Sequence, residues 1–418
     1  MQLLDRGASA EEATVAVAAV LGVVWPHMTG IGGDAFFMLY DRGNVRALNA
    51  SGFSGSQIDV SCAAIPERGP GAVLTVPGAV AGWNALLAGK PLSEELLEPA
   101  IQLASKGAPI DNMLRRWMRP ETAPWWREVM MHSTEDTFTQ PQLATTLSQL
   151  ANGADFYRGE ISRQLCESFT DWGVQITLED FAFQHADWVD PIHTSFCGHE
   201  VWTTPPNSQG FATLHLLEAA ARFWASENYR EQMVETTRRV FRYRNDTLCD
   251  PASVKGDTVA FSVVDEQGRG ISAIQSVYFD WGSGMLCPRT GILLQNRGVA
   301  FSLNPEHPNA IAPRKRPAHT LCPALVTRDG QLTALIGTMG GDGQPQTLTQ
   351  VLTALLAAGK SPQEAVAAYR WLYGRTWGAM NDSLFCEDDR SNHDMFGHCN
   401  LIDLRGPEPV AVSDWRAR

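Results

Sequence analysis

The stretch GDTVAFSVVDEQGRGISAI, residues 256–274, constrains the fold more than any other part of the chain. Its β-branched and aromatic run over 259–264, polar turn at Asp265-Glu266-Gln267-Gly268 and returning run from Gly270 predict a hairpin of buried strands. Strand patterns continue at 270–278, 291–294, 321–327 and 332–338. An earlier hairpin is predicted at 35–40 and 45–48, about the turn Asp41-Arg42-Gly43. Helical patterns flank these at 79–87, 93–106 (with Pro99 as a restart), 142–151, 160–172, 212–224, 346–358 and 362–370. Strand hairpins flanked by helices predict layers of sheet covered by layers of helix.

Residues 14–25 are apolar but fall short of the roughly 18 residues of a membrane span. Ser9-Ala10-Glu11-Glu12 precedes them as a capping box, which predicts a buried helix. No basic segment precedes that helix, so it does not read as a signal peptide. At 418 residues and 44% hydrophobic the chain can bury a large core, and length alone suggests two to three domains. A net charge of −13 repels phosphate backbones and argues against nucleic acid as a partner. An anionic small substrate would need a local Arg, Lys or His. The eight cysteines (62, 166, 197, 249, 287, 322, 386 and 399) form no CxxC pair. That spread fits reduced thiols in the cytoplasm better than a disulfide framework or a zinc site. A leader lost upstream of Met1 would point to the periplasm instead. His393, His398 and Cys399 near Cys386 and Asp394 fit no zinc spacing, and no metal or organic cofactor is expected. Asp342-Gly343 and Glu387-Asp388-Asp389 read as solvated loops.

Thr258 stands between the joint Lys255-Gly256-Asp257 and the strand. On its own it is an ordinary strand-starting threonine. Other segments change that reading. Thr29-Gly30-Ile31-Gly32-Gly33-Asp34, residues 76–82 (VPGAVAG), 155–160 (DFYRGE), 205–210 (PPNSQG), 258–265 (TVAFSVVD) and 291–294 (GILL) follow one another, then Lys315-Arg316-Pro317 and Gly340-Gly341. In this order they resemble the γ-glutamyltranspeptidase family of N-terminal-nucleophile (Ntn) hydrolases, over almost the whole chain.

The resemblance implies an α+β fold, a four-layer αββα sandwich made as one inactive precursor. The bond before Thr258 would be cut by the protein itself. Residues 1–257 would form an α subunit and 258–418 a β subunit, sharing one core, with further dimerisation left open. The chemistry is coherent. A threonine hydroxyl needs a base beside it, and an N-terminal Thr carries its own α-amine, with a reference pKa of about 7.7–8.0. By resemblance Gly340 and Gly341 supply the oxyanion N–H groups, and Ser276 falls where the family keeps a second Thr beside the nucleophile.

The departures concern substrate. Ser51 stands where the family has the Arg that grips a carboxylate, and Ala300 where it has the Asp that grips an ammonium. Tyr278 replaces an Asn, and His319-Thr320 replace paired serines. Arg297, two residues before Val299-Ala300, points to a carboxylate-bearing acyl group with no α-amine. The expected substrate is therefore a small anionic amide, and within the family that the chain resembles this description points to oxamate, hydrolysed to oxalate and ammonia. Tyr278, His319, Thr320 and Ser51 join Arg297 as candidate substrate-binding residues. Two other readings compete: a transpeptidase or cephalosporin-acylase-like enzyme of broad acyl specificity, and a non-catalytic relative that binds a ligand. In the family a long stretch separates Asp250-Pro251 from the nucleophile, whereas here only residues 252–257 intervene, which suggests that a longer cleavage loop belongs there.

Overall fold

The computed structural model describes residues 2–58, 64–248, 257–374 and 383–417. Cys62, Cys249, Asp250-Pro251 and Lys255-Gly256 of the cleavage joint lie outside the described residues.

The strands of the two large sheets, in chain order, are β1 (Asp34–Asp41), β2 (Asn44–Ala50), β3 (Asp187–Val189), β4 (Ile192–Phe196), β5 (His199–Thr203), β6 (Asp257–Val264), β7 (Gly270–Tyr278), β8 (Ala324–Arg328), β9 (Gln331–Thr338), β10 (Cys399–Asp403) and β11 (Val410–Ser413). One sheet runs β3-β2-β1-β7-β6 and the other β11-β10-β9-β8-β5-β4. Every neighbouring pair in both is antiparallel.

The layering follows from the period of two along each strand. On β1, Ala35, Phe37 and Leu39 pack against helices, while Met38 and Tyr40 meet Leu325 and Leu335 of the facing sheet. Phe36 joins Ala260, Ile274 and Leu321 in the same inter-sheet space. Both faces of β1 and β7 are covered, which is why they read as continuous apolar runs. The outer layer on the first sheet includes α1 (Ala10–Val24), α2 (Ala79–Leu86), α3 (Glu94–Lys106), α4 (Pro141–Ala151) and α5 (Glu160–Trp172). The second sheet is covered by α6 (Gly210–Phe223), α7 (Tyr229–Thr247), α8 (Gln344–Leu352) and α9 (Pro362–Ala367). The fold is the αββα sandwich of the Ntn hydrolases.

The expected capping box holds α1 in place: Ser9 Oγ accepts from Glu12 N–H and Glu12 accepts from Ser9 N–H. Asp265 in the β6–β7 turn accepts from Ala10 N–H (3.1 Å), which ties the hairpin to the start of α1. Four expectations need correction. Residues 291–294 form no strand, only the isolated bridge Leu286–Leu293. Pro99 does not restart α3, because the loss of one backbone bond within an amphipathic helix is tolerated by its packing. Asp342 is buried in an ion pair with Arg244 (3.1 Å) rather than solvated. Glu387 is likewise buried, bound to Arg416 and His393, while Asp388 and Asp389 are exposed as expected. The six described cysteines are free thiols. Among the described residues no helix is long and apolar enough to cross a membrane, and no three metal-ligating side chains gather.

Candidate active site

Thr258 is the second residue of β6, on the face turned toward the other sheet, and only 1% exposed. The register pairs Val259 with Gln275 and then Asp257 with Tyr278. Two residues of β7, Ser276 and Val277, therefore oppose the single Thr258. Such a bulge re-aims the side chains beside it. Here the Thr258 hydroxyl lies 3.4 Å from Ser276 Oγ, which accepts the Tyr278 N–H at 2.8 Å. Tyr278 pays for the bulge with φ +82°, a conformation that a residue bearing a Cβ rarely adopts. Gly33 makes the close approach possible from the other side. A Cβ there would lie 2.2 Å from the Ser276 carbonyl oxygen, so only glycine lets the Thr29–Asp34 turn lie against the bulge.

The Tyr278 ring stacks on Phe279 and lies under the Arg297 guanidinium, whose carbon is 3.7 Å from the ring centroid. Arg297 opens a short 3-10 helix, Arg297–Ala300, and is fully buried. Its two predecessors fix its aim. Gln295 Nε2 donates to Asp34 (2.8 Å), and Asn296 Oδ1 accepts from Phe279 N–H (3.1 Å). Arg297 Nη1 donates to Thr320 Oγ1 at 3.3 Å. Val299 and Ala300 join Tyr278 and Phe279 in an apolar cluster.

His319 is buried against Phe36. Its Nδ1 accepts from Leu321 N–H (3.3 Å), so the proton sits on Nε2 and is donated to Asp34 Oδ2 (3.2 Å). Burial, reinforced by the Arg297 charge, pushes its pKa down to about 3 against the pull of Asp34. The imidazole is neutral, and Arg297 carries the positive charge. Ser51 donates to Asn49 Oδ1 (2.7 Å) and accepts from Asn207 (3.3 Å), while the Asn207 carbonyl accepts His319 N–H (2.7 Å).

Beyond β9 the chain turns through Gly340 and Gly341, at φ +120° and +50°. The turn lies at the Thr258 end of the sandwich. Ser272, paired with Ser262, bonds Ile336, and a Cβ on Gly337 would touch Ala260, so rising numbers on β9 track falling numbers on β6. Gln209 Nε2 clamps the Gly341 carbonyl (2.9 Å) and the Thr320 carbonyl (2.8 Å) together. Arg244 holds Gln209 Oε1 (2.8 Å) from behind and pairs with Asp342. One run of contacts thus joins Thr258, Ser276, Tyr278, Arg297, Thr320 and Gly341, with His319 and Ser51 attached through Asn207.

The family model for gamma-glutamyltranspeptidase matches residues 1–256 and 252–396. The chain belongs to the γ-glutamyltranspeptidase family. Like other members of that family it is an Ntn-type hydrolase. It is 36% identical to an oxamate amidohydrolase proenzyme of Klebsiella pneumoniae, over 93% of this chain and 85% of that one. It is 34% identical to the glutathione hydrolase-like YwrD proenzyme of Bacillus subtilis, over 92% and 85%. The crystal structure of cephalosporin acylase from Bacillus halodurans superposes with a TM-score of 0.89 at 28% identity, covering 99% of this chain and 91% of that one.

Several residues of this γ-glutamyltranspeptidase-family site escape a reading by motif. Asp34 ends the Thr29–Asp34 segment, yet its role is set by four partners distant in sequence: Gly52 N–H, Gly78 N–H, Gln295 and His319. Gln209 lies inside the 205–210 motif without looking like a clamp. Arg244 sits on a helix whose buried positions, Met233, Thr236, Thr237, Phe241 and Arg244, give little apolar periodicity.

Proposed function

We propose that the protein cuts its own chain before Thr258 and then hydrolyses a small anionic amide, oxamate being the best fit, through a Thr258 ester. Residues 1–257 and 258–418 would be the two subunits. The observation that carries the reading is the contact of Thr258 with Ser276 opposite a bulge whose Tyr278 ring seats the buried Arg297.

Arg297 and Thr320 receive the carboxylate. The freed α-amine of Thr258 takes the hydroxyl proton as Oγ attacks the neighbouring amide carbonyl. The Gly340 and Gly341 N–H groups stabilise the oxyanion. The C–N bond breaks, the amine leaves with the proton, and water hydrolyses the ester. The apolar surroundings of Ala300 argue against an α-ammonium and so against a γ-glutamyl substrate. The proenzyme named from Klebsiella pneumoniae supports the same choice, and the proenzyme names of both relatives support self-cleavage.

Intact-mass measurement tests the first step. Wild type should give two pieces, the smaller beginning at Thr258, and Thr258→Ala a single chain. Ammonia release tests the second: wild type should turn over oxamate faster than γ-glutamyl anilide. An intact wild-type chain removes the nucleophile, and preference for the γ-glutamyl compound favours the transpeptidase reading.

A further inference from the structure

We propose that Gln209 and Arg244, both from the part of the chain before Thr258, form a positioning pair that sets the spacing between the proposed carboxylate grip and the proposed oxyanion turn. The inference rests on the proposed function. There the nucleophile, the carboxylate grip and the oxyanion donors all follow the cut, and the earlier piece supplies the part that holds two of them in register.

Residues 207–209 lie along 317–321 and take up its carbonyls in turn. Asn207 Nδ2 donates to the Pro317 carbonyl (2.6 Å), Gln209 N–H to the His319 carbonyl (2.9 Å) and Ser208 Oγ to the Leu321 carbonyl (2.6 Å). The Thr320 carbonyl is met by Gln209 Nε2 (2.8 Å), which also donates to the Gly341 carbonyl (2.9 Å). A carboxamide carries its two hydrogens in one plane at a fixed angle. The two bonds therefore set the distance between residues 320 and 341. Each end leads to the chemistry. Thr320 Oγ1 accepts from Arg297 Nη1 at 3.3 Å. The peptide before Gly341 is held by Gly343 N–H on the Gly340 carbonyl (2.8 Å), and the peptide after it by Gln209. Both dihedral angles of a residue without a Cβ are thereby fixed.

Arg244 makes the orientation of that carboxamide unique. A guanidinium only donates, so the Gln209 oxygen must face Arg244 Nη1 (2.8 Å) and its nitrogen the two carbonyls. Arg244 is itself fixed. Asn245 Oδ1 accepts from its Nε and Nη2 (3.1 and 2.9 Å), and its guanidinium carbon lies 4.1 Å from the Phe241 ring centroid. Asp342, the residue after Gly341, stands 3.1 Å from its Nη1, so Arg244 holds the turn directly as well as through Gln209. Gln209, Arg244 and Asp342 are 2%, 4% and 3% exposed. An ion pair at that depth costs desolvation that packed apolar side chains would avoid. Its place directly behind the oxyanion turn points to orientation rather than to stability.

The test measures kcat and KM for oxamate on the cut chain of wild type, Gln209→Met, Gln209→Glu and Arg244→Lys, with intact mass and Tm alongside. Gln209→Met keeps the side-chain length and removes both bonds to the carbonyls. Gln209→Glu keeps the shape and an oxygen facing Arg244 but, when ionised, has no hydrogen for either carbonyl. Positioning predicts that both variants lower kcat about 10-fold, less than outright loss of an oxyanion donor, and raise KM. Arg244→Lys keeps the charge opposite Asp342 without the fork that fixes Gln209, and kcat should fall there too. A role in folding alone would lower Tm and the yield of cut chain and leave kcat of the cut chain unchanged. Values within about twofold of wild type in Gln209→Met, or wild-type kcat in Gln209→Glu, overturn the pair and leave the proposed function standing. If all three variants stay uncut, the pair serves folding and the positioning role falls. If wild type itself does not hydrolyse oxamate, the proposed function fails and takes this role with it.

Discussion

The proposed carboxylate site is a buried arginine with an aromatic ring under it and a hydroxyl at its edge, features that suit a planar anion. Arg297 combines these features: fully buried, 3.7 Å from the Tyr278 centroid and 3.3 Å from Thr320 Oγ1. His319 adds no charge, because its pKa is pushed down to about 3 by burial and by Arg297. Arg297→Ala should therefore lower kcat/KM for oxamate by about 10–100-fold, the range of a charge-assisted hydrogen bond. It should lower kcat as well, since in the proposed substrate the carboxylate lies beside the scissile carbonyl and loss of its grip misplaces the reacting atoms. Arg297→Lys should recover little, because an ammonium neither stacks on the ring nor forks around a carboxylate. Steady-state kinetics of ammonia release decide it, and unchanged oxamate hydrolysis in Arg297→Ala would remove the residue from substrate recognition. The candidate residues Thr258, Ser276, Arg297 and Tyr278 were legible because their neighbours in sequence carry the pattern. Asp34 and Arg244 were not, since each acts through partners brought together only by folding.

At the scale of elements, the decisive piece is the turn after β9. Gly341 combines φ +50° with a carbonyl pinned by Gln209, so both its conformation and its orientation are fixed from outside. Gly341→Val would strain that conformation and swing the N–H groups away. The proposed oxyanion role predicts that turnover falls by at least about 10²-fold. Circular dichroism should report an intact fold, and near-normal turnover would take the glycines out of the mechanism. Most elements with strong periodicity were readable, including α1, β1, β2, β6, β7 and β9. The β4–β5 hairpin was not. Its turn uses Cys197 and Gly198 at φ +50° and +75°, without the Asn-Gly pair that announces such turns. Helix α7 was missed because its buried face contains two threonines and an arginine, and residues 291–294 were taken for a strand because a short apolar run resembles one.

At the scale of the whole molecule, both sheets draw strands from before and after Thr258. A cut at that point would leave each piece with strands of both sheets, so the pieces should co-elute under native conditions and separate only in denaturant. Acid stability is also a property of the whole fold. His27 lies fully buried between Trp117 and Trp281, and burial, with His398 and Arg116 near it, pushes its pKa down to about 3. His319 behaves alike. Unfolded imidazoles bind protons near pH 6.5 and these folded ones only near 3. The unfolded state is therefore favoured as pH falls through that window, by up to about 1.4 kcal/mol per pH unit for each group. Replacing His27 with Phe keeps a ring between the tryptophans and removes one of these groups. The fall of Tm between pH 7 and pH 4 should become shallower in His27→Phe, and an identical slope would exclude His27 as a source of acid lability.

The sequence by itself determined the layered architecture, the order of most elements, the candidate nucleophile and the loss of the family's two amino-acid-gripping residues. Those are carried by local patterning, since period, turn chemistry and motif order act between near neighbours. Only the tertiary structure decided that the Thr258 hydroxyl meets Ser276 across a bulge, that Arg297 lies on Tyr278, and that Asp34 and Gln209 tie five separate segments together. Each of these is a contact between residues far apart in the chain, fixed by strand register and by the burial of polar groups that must find partners wherever the packing puts them.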